Sequence, residues 1–172
     1  MTDLEALYSR NAPDVFRFAL YLSGSHDEAA DLTSETFVRA WASHERIRLN
    51  TVRSYLFTIT RNLYLNSLRR SRRQDELSET LRDPRPGPAV EAERTSQLAF
   101  ALDALMRLPE IDRAALVLRA VEDMPYDEIA RTLGMSLATV KVRIHRARRA
   151  LLEFRDAQDP DVPPPGGQER KP

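Results

Sequence analysis

No cysteine occurs in the 172 residues, which excludes disulfides, thiolate zinc sites and thiol redox sensing. A reducing, cytoplasmic setting is expected. No apolar run approaches the length of a membrane span, and the opening MTDLEALYSRN lacks the basic-then-apolar layout of a secretory signal, so neither export nor membrane contact of its own is expected. Neither charge sign is in excess: 26 lysines and arginines balance 26 aspartates and glutamates, which argues against a generic nucleic-acid coat. Only three histidines are present, His26, His44 and His145, and none has partners at metal-ligand or triad-like spacing. Catalysis, a bound metal and a cofactor are therefore not expected. Strand-like alternation and constant-period repeats are missing as well, which leaves an all-α chain.

The charges that are present are segregated. Basic residues cluster at 61–73 and 141–149 and acids at 27–35 and 75–93, so different faces are expected to meet different partners. Eight of the eleven prolines fall within 84–88 and 160–172, which read as a linker and a tail. Pro13, Pro109 and Pro125 read as helix openers, where a missing amide costs little. The expected division is a three- or four-helix N-terminal bundle over 1–74, a flexible linker over 75–93, a four-helix domain with a helix-turn-helix over 94–155, and a disordered tail over 156–172.

In the first unit Val15, Phe18, Ala19 and Leu22 form one apolar stripe, and Ser25 with Glu28 reads as a capping box opening a second helix to about Trp41. A third helix is expected from about 50 to Arg70, with Val52, Leu56, Ile59 and Leu63 buried and Tyr55, Asn62, Asn66 and Arg69 on another face. In the second unit Leu98, Ala101, Leu102 and Leu105 make a helix stopping at Pro109, and 114–121 make the next.

Residues 124–149, MPYDEIARTLGMSLATVKVRIHRARR, read as two helices around a corner. Ile129 and Leu133 lie one turn apart, Gly134 supplies the permissive turn, and Ser136 can cap the second helix. Small Ala130 permits close crossing of the two helices, as helix-turn-helix geometry requires. In the second helix Val140, Ile144, Ala147 and Leu151 form the buried stripe. The opposite face carries Ala138, Lys141, Val142, His145 and Arg149, with Arg143, Arg146 and Arg148 flanking, and suits phosphates and base edges.

Two further patterns stand out in the first unit. Asp27, Asp31 and Glu35 recur at i, i+4 and i+8, a row of mutually repelling carboxylates. The helix dipole accounts for Asp27 and Glu28 but not for Glu35, so the row reads either as a solvated face or as a dock for a basic partner. Arg61, Arg69, Arg70, Arg72 and Arg73 accumulate without an intervening acid, interleaved with Asn62, Asn66, Tyr55 and Tyr64. Arginines hold phosphates, while asparagines and aromatics read or stack on bases. The bland reading of 69–73 is a basic helix C-terminus favoured by the dipole, and Asn62 reads as either a buried hydrogen bond or a ligand contact.

Four stretches in order, DEAADLTSETFVRAW, RSYLFTITRNLYLNSLRR, LPEIDRAALVLR and YDEIARTLGMSLATVKVRIHRARRAL, resemble bacterial RNA polymerase sigma factors of the extracytoplasmic-function group, over about residues 7–154. The resemblance implies a transcription initiation factor that binds core RNA polymerase through the β′ clamp helices, with Asp31, Ser34 and Glu35 as contacts, and through the β flap. It implies minus-10 promoter contacts from Arg61, Asn62, Asn66, Arg69 and Arg70, and from Arg46, Arg48 and Asn50 in a specificity loop over 43–50. For the minus-35 element it implies base-facing Lys141, Val142, His145 and Arg146, and contacts from Ser136, Thr139, Arg143 and Arg148. The loop lacks the aromatic often found there, and Ser34 stands where glutamine is frequent. An anti-sigma factor partner and a monomeric free state are also implied. The rival readings are a two-domain helix-turn-helix regulator that binds promoter duplex without polymerase, and a helical interaction adaptor.

Overall fold

Residues 3–43, 52–78 and 96–158 are described by a computed structural model, and among them every regular element is helical. The elements are α1 (Asp3–Ser23), α2 (His26–Ala42), α3 (Val52–Ser78), α4 (Ser96–Met106), α5 (Glu110–Ala120), α6 (Tyr126–Leu133) and α7 (Leu137–Gln158). The first unit is a three-helix bundle. Val15, Phe18, Ala19 and Leu22 of α1 are buried against Leu32, Phe37 and Ala40 of α2 and Leu56, Phe57 and Leu63 of α3, where each fully buried large apolar side chain contributes about 1.5–3 kcal/mol. Thr36 and Thr60 meet inside this core with their hydroxyls 3.0 Å apart, and each lies within donating distance of a carbonyl one turn back, Leu32 and Leu56 respectively, so both have partners.

Local chemistry explains most helix ends. Gly24 adopts φ +68°, its amide donates to the Leu20 carbonyl, and Ser25 caps α2 by accepting from the Glu28 amide at 3.3 Å. The return half of the expected capping box is not made. The Glu28 carboxylate accepts from the Ser67 hydroxyl of α3 at 2.7 Å, and the Ser25 amide donates to Ser23 Oγ instead. A helix-to-helix tie thus takes the side chain that the box would use.

Three boundaries differ from the expected ones. Pro13 does not open α1 but lies inside it. Its missing amide would have met the Ser9 carbonyl, and the turns before it are held by Leu7 against the core and by Tyr8, whose ring centre is 4.7 Å from that of Phe37. The third helix runs to Ser78, so 75–78 are helical and not linker, there being no proline or glycine after Arg70 to stop it. Likewise α7 is 22 residues long and includes 156–158 of the expected tail. The rest of the expected linker, 79–93, and of the tail, 159–172, lies outside the described residues.

In the second unit α4 and α5 meet at Pro109, and the buried Arg113 donates from Nη1 to the Leu105 and Leu108 carbonyls at 3.3 and 3.1 Å, tying α5 to the end of α4, where the Leu105 carbonyl also accepts from the Leu108 amide. The helix-turn-helix forms as its residues require. Gly134 ends α6 at φ +66°, Ser136 Oγ accepts from the Thr139 amide at 3.1 Å, and Val140, Ile144 and Ala147 are fully buried. Leu151 is half-buried at the edge of the stripe.

The two units pack against each other, and their buried residues form one continuous core. Glu122, in the α5–α6 connection, has a side chain with 0% exposure. Its carboxylate accepts from Arg17 Nε and Nη2 at 2.8 and 2.7 Å and from Arg53 Nη2 at 2.6 Å, while its carbonyl accepts from Arg53 Nη1 at 2.9 Å. Asp14 completes the group, 2.8 Å from Arg17 and 3.1 Å from Arg53. A carboxylate withdrawn from water this far is tolerable only because two cations and several hydrogen bonds meet it. The same contacts push the Arg17 guanidinium still further up from its ordinary value, the Glu122 hydrogen bond first. Elsewhere on the interface the Ser54 and Thr132 hydroxyls share a hydrogen bond, and Met106 of α4 closes over Gly24 so tightly that a Cβ there would lie 2.9 Å from Met106 Cγ.

Candidate functional site

Three exposed surfaces carry the residues singled out in the sequence. On α2, Asp27, Asp31, Ser34 and Glu35 are all exposed, opposite the buried Ala29, Leu32, Phe37 and Ala40. The Ser34 hydroxyl donates to the Ala30 carbonyl at 3.1 Å, and Glu35 pairs with Arg39 at 2.9 Å across half-exposed side chains. Two residues missed in the sequence share this face: Val38 is 63% and Trp41 48% exposed. Ser34, Val38 and Trp41 fall at i, i+4 and i+7, so an apolar strip borders the acids. Such a surface suits a partner that supplies both cations and apolar contact. The signal was available, since Val38 and Trp41 fall off the Leu32–Phe37–Ala40 stripe.

On α3 the arginines separate into two groups. Asn62, Asn66, Arg69, Arg70, Arg72 and Arg73 are exposed, and the exposure of Asn62 removes its alternative reading as a buried hydrogen-bonding amide. Arg69 to Arg73 do not cap a helix end, because α3 continues to Ser78 and its last turn holds no basic residue. The dipole therefore does not explain them. Arg61 stands apart: its guanidinium grips Glu110 of α5 in a bidentate pair at 2.7 and 2.8 Å, with side-chain exposures of only 16% and 17%. Tyr64 is not a stacking aromatic on this surface. It is buried, its hydroxyl accepts from Arg113 Nη2 at 3.1 Å, and burial pushes the phenol up from its usual range. Tyr55 is half-buried against the core. Arg46, Arg48 and Asn50 lie outside the described residues, as does all of the 43–50 loop except Ser43.

On α7, Lys141, Val142, His145, Arg146, Arg148 and Arg149 are exposed, and Thr139 is half-buried. Val142, His145, Arg146, Arg149, Ala150 and Glu153 line an open hollow of about 340 Å³. The Ser136 and Thr139 hydroxyls lie 2.7 Å apart at the cap, so both are engaged locally. Arg143 is drawn inward, its Nη1 3.1 Å from Oδ1 of the buried Asp112. Among the described residues no group of three or more histidines, acids or cysteines could hold a metal ion, and His26 packs edge-on against Phe16 with ring centres 5.0 Å apart. No described helix is long and apolar enough to cross a membrane.

Comparison with known proteins matches both units. Residues 7–74 match the Sigma-70 region 2 family and residues 101–151 the Sigma-70, region 4 family. The chain is 37% identical over 162 residues to the ECF RNA polymerase sigma factor SigE of Mycolicibacterium smegmatis, covering 90% of this chain but 62% of that relative's length. It is 35% identical over 156 residues to the ECF RNA polymerase sigma factor EcfG of Rhodopseudomonas palustris, covering 86% of this chain and 83% of the relative. Among solved structures, the sigma factor RpoE in complex with the anti-sigma factor NepR from Bartonella quintana superposes with a TM-score of 0.76 at 28% identity, covering 91% of this chain and 98% of that one. With both halves matched in order by sigma-70 regions, and a relative at 35% identity covered over 83% of its length, the chain belongs to the ECF RNA polymerase sigma factor family.

Proposed function

We propose that the chain docks on core RNA polymerase through the exposed face of α2 and directs it to promoters by reading the minus-10 element with α3 and the minus-35 element with α7. One observation carries this reading: the acidic-apolar face of α2, the asparagine-arginine face of α3 and the basic face of α7 are three separate exposed surfaces on one chain. A regulator acting on duplex alone has no use for the first two. Asp31, Ser34 and Glu35, bordered by Val38 and Trp41, meet the β′ clamp helices, and the second unit meets the β flap. Asn62, Asn66, Arg69 and Arg70 engage the separated strands with Arg46, Arg48 and Asn50. Lys141, Val142, His145 and Arg146 face bases, and Ser136, Thr139 and Arg148 face phosphates, while Arg143, held to Asp112 through Nη1, reaches phosphate only with its remaining donors.

The Arg61 pairing with Glu110 adds a condition. Arg61 reaches promoter backbone only when that ion pair is exchanged, so the two units separate at α3 when the chain engages polymerase and DNA. Each module alone binds DNA weakly, and tethering both to one polymerase makes their spacing part of specificity. The chain acts in the cytoplasm, has no catalytic role of its own, is a monomer when free, and binds an anti-sigma factor, as RpoE does in its complex with NepR.

Run-off transcription with core polymerase and a promoter pool tests the reading. Replacing Lys141 or Arg146 with alanine is expected to lower minus-35-dependent transcripts about fivefold or more with core affinity unchanged. Asp31→Lys or Glu35→Lys is expected to weaken core association itself. Specific binding to promoter duplex without polymerase, and no transcript with it, would overturn the assignment.

A further inference from the structure

Asp112 lies in the first turn of α5, beneath α7, and is 1% exposed. Its Oδ1 accepts from Arg143 Nη1 at 3.1 Å. Its Oδ2 is buried without a hydrogen-bond partner, 4.0 Å from Arg146 Nη1. The helix dipole welcomes an acid in this turn but does not satisfy an orphan oxygen, and a carboxylate removed from water must be matched by cations. Both available cations come from α7, one turn apart, and both belong to its DNA-facing set. Arg143 is tied down, whereas Arg146 is 58% exposed beside the hollow formed with Val142 and His145.

We propose that Asp112 is a specificity-determining positioning residue, which anchors Arg143 and aims the guanidinium of Arg146 at base edges. The inference rests on the reading of α7 as the minus-35 reader. A guanidinium drawn by charge toward a fixed carboxylate 4.0 Å from one edge keeps its remaining donors outward as a planar fork, the geometry that distinguishes guanine from other bases. Released, the same side chain swings to the nearest phosphate, which carries no sequence information. The carboxylate also cancels part of the positive charge beneath the groove and so lowers attraction to unselected DNA.

Holoenzyme assembled with wild-type or Asp112→Asn protein, challenged with a promoter library randomised over the upstream element, tests the assignment. With Asp112→Asn the preference at one upstream base pair is expected to relax about tenfold, while affinity for unselected duplex rises and its logarithmic salt slope steepens by about 0.9. Arg146→Gln removes the same preference, and adding Asp112→Asn to it changes nothing further there. A uniform fall at every position, or an Asp112→Asn effect undiminished in the Arg146→Gln background, overturns the proposal. Should Asp112→Asn not fold, Arg143→Gln leaves Arg146 as the remaining cation for Asp112 and draws it inward, and retention of the base preference in that variant overturns the proposal. Upstream enrichment in the wild type that Asp112→Asn leaves unchanged sinks this inference alone. No upstream enrichment in the wild type sinks it together with the assigned role of α7.

Discussion

Arg17, Arg53 and Arg61 end on carboxylates of the second unit, whereas Arg69, Arg70, Arg72 and Arg73 are exposed along α3. Composition makes these residues equivalent; what separates them is the neighbour the fold provides. Asp14 sits one turn before Arg17, but Glu122 and Glu110 are distant in sequence from the arginines they bind, so no local pattern marks those pairs. Tyr64 was misread for the same reason. Interleaved in sequence with the exposed arginines, it is buried because α3 is covered on two sides and Arg113 reaches it from α5. Burial raises its phenol above the ordinary 10.0, which has a measurable consequence. Below about pH 10 both folded and unfolded chains keep the proton and stability is unaffected; as pH rises through the raised folded value the unfolded chain ionises first and stability falls. Tyr64→Phe is expected to flatten this alkaline loss in urea titrations. It also leaves Arg113 Nη2 without its acceptor, lowering stability at neutral pH by about 1–3 kcal/mol.

The elements were the most legible part of the chain. Apolar spacing located in order the seven helices found among the described residues, because a helix with one buried stripe writes a 3.6-residue period into its sequence. Ends were read less well where no breaker residue marked them, as at Ser78, or where packing overrode a breaker, as at Pro13. The two left-handed glycines differ instructively. A Cβ at Gly134 meets nothing within 4 Å, so Gly134→Ala is expected to cost only its backbone strain, about 1–2 kcal/mol. Gly24→Ala adds a clash with Met106 at the junction of the two units and should lower the melting temperature further. Equal shifts would show that Met106 yields freely. On α2, Val38→Ala leaves the bundle core untouched and is expected to weaken core polymerase binding with unchanged melting temperature. Unaltered affinity in a titration would confine the dock to the carboxylates.

At the scale of the molecule, the sequence suggested two units on a tether, and the structure joins them around a buried carboxylate. Glu122→Gln keeps the shape but removes the charge that Arg17 and Arg53 share. The expected cost is about 1–2 kcal/mol, less than for a fully enclosed pair because both arginines remain more than a third exposed. Fluorophores on α2 and α7 should report a wider distance distribution in this variant, and an unchanged one would mean that the apolar interface alone holds the units together.

Local periodicity and capping chemistry were enough to specify an all-helical chain, the Gly134 corner, the buried stripe of α7 and the segregation of acidic from basic faces. Each of these depends on residues within a turn or two of one another. Which arginines remain exposed, which acid is buried, and how α3 is covered were decided only when helices distant in sequence came together. A charge declares its role through its partner, and Arg61 with Glu110, Arg53 with Glu122 and Arg143 with Asp112 are partners only in space.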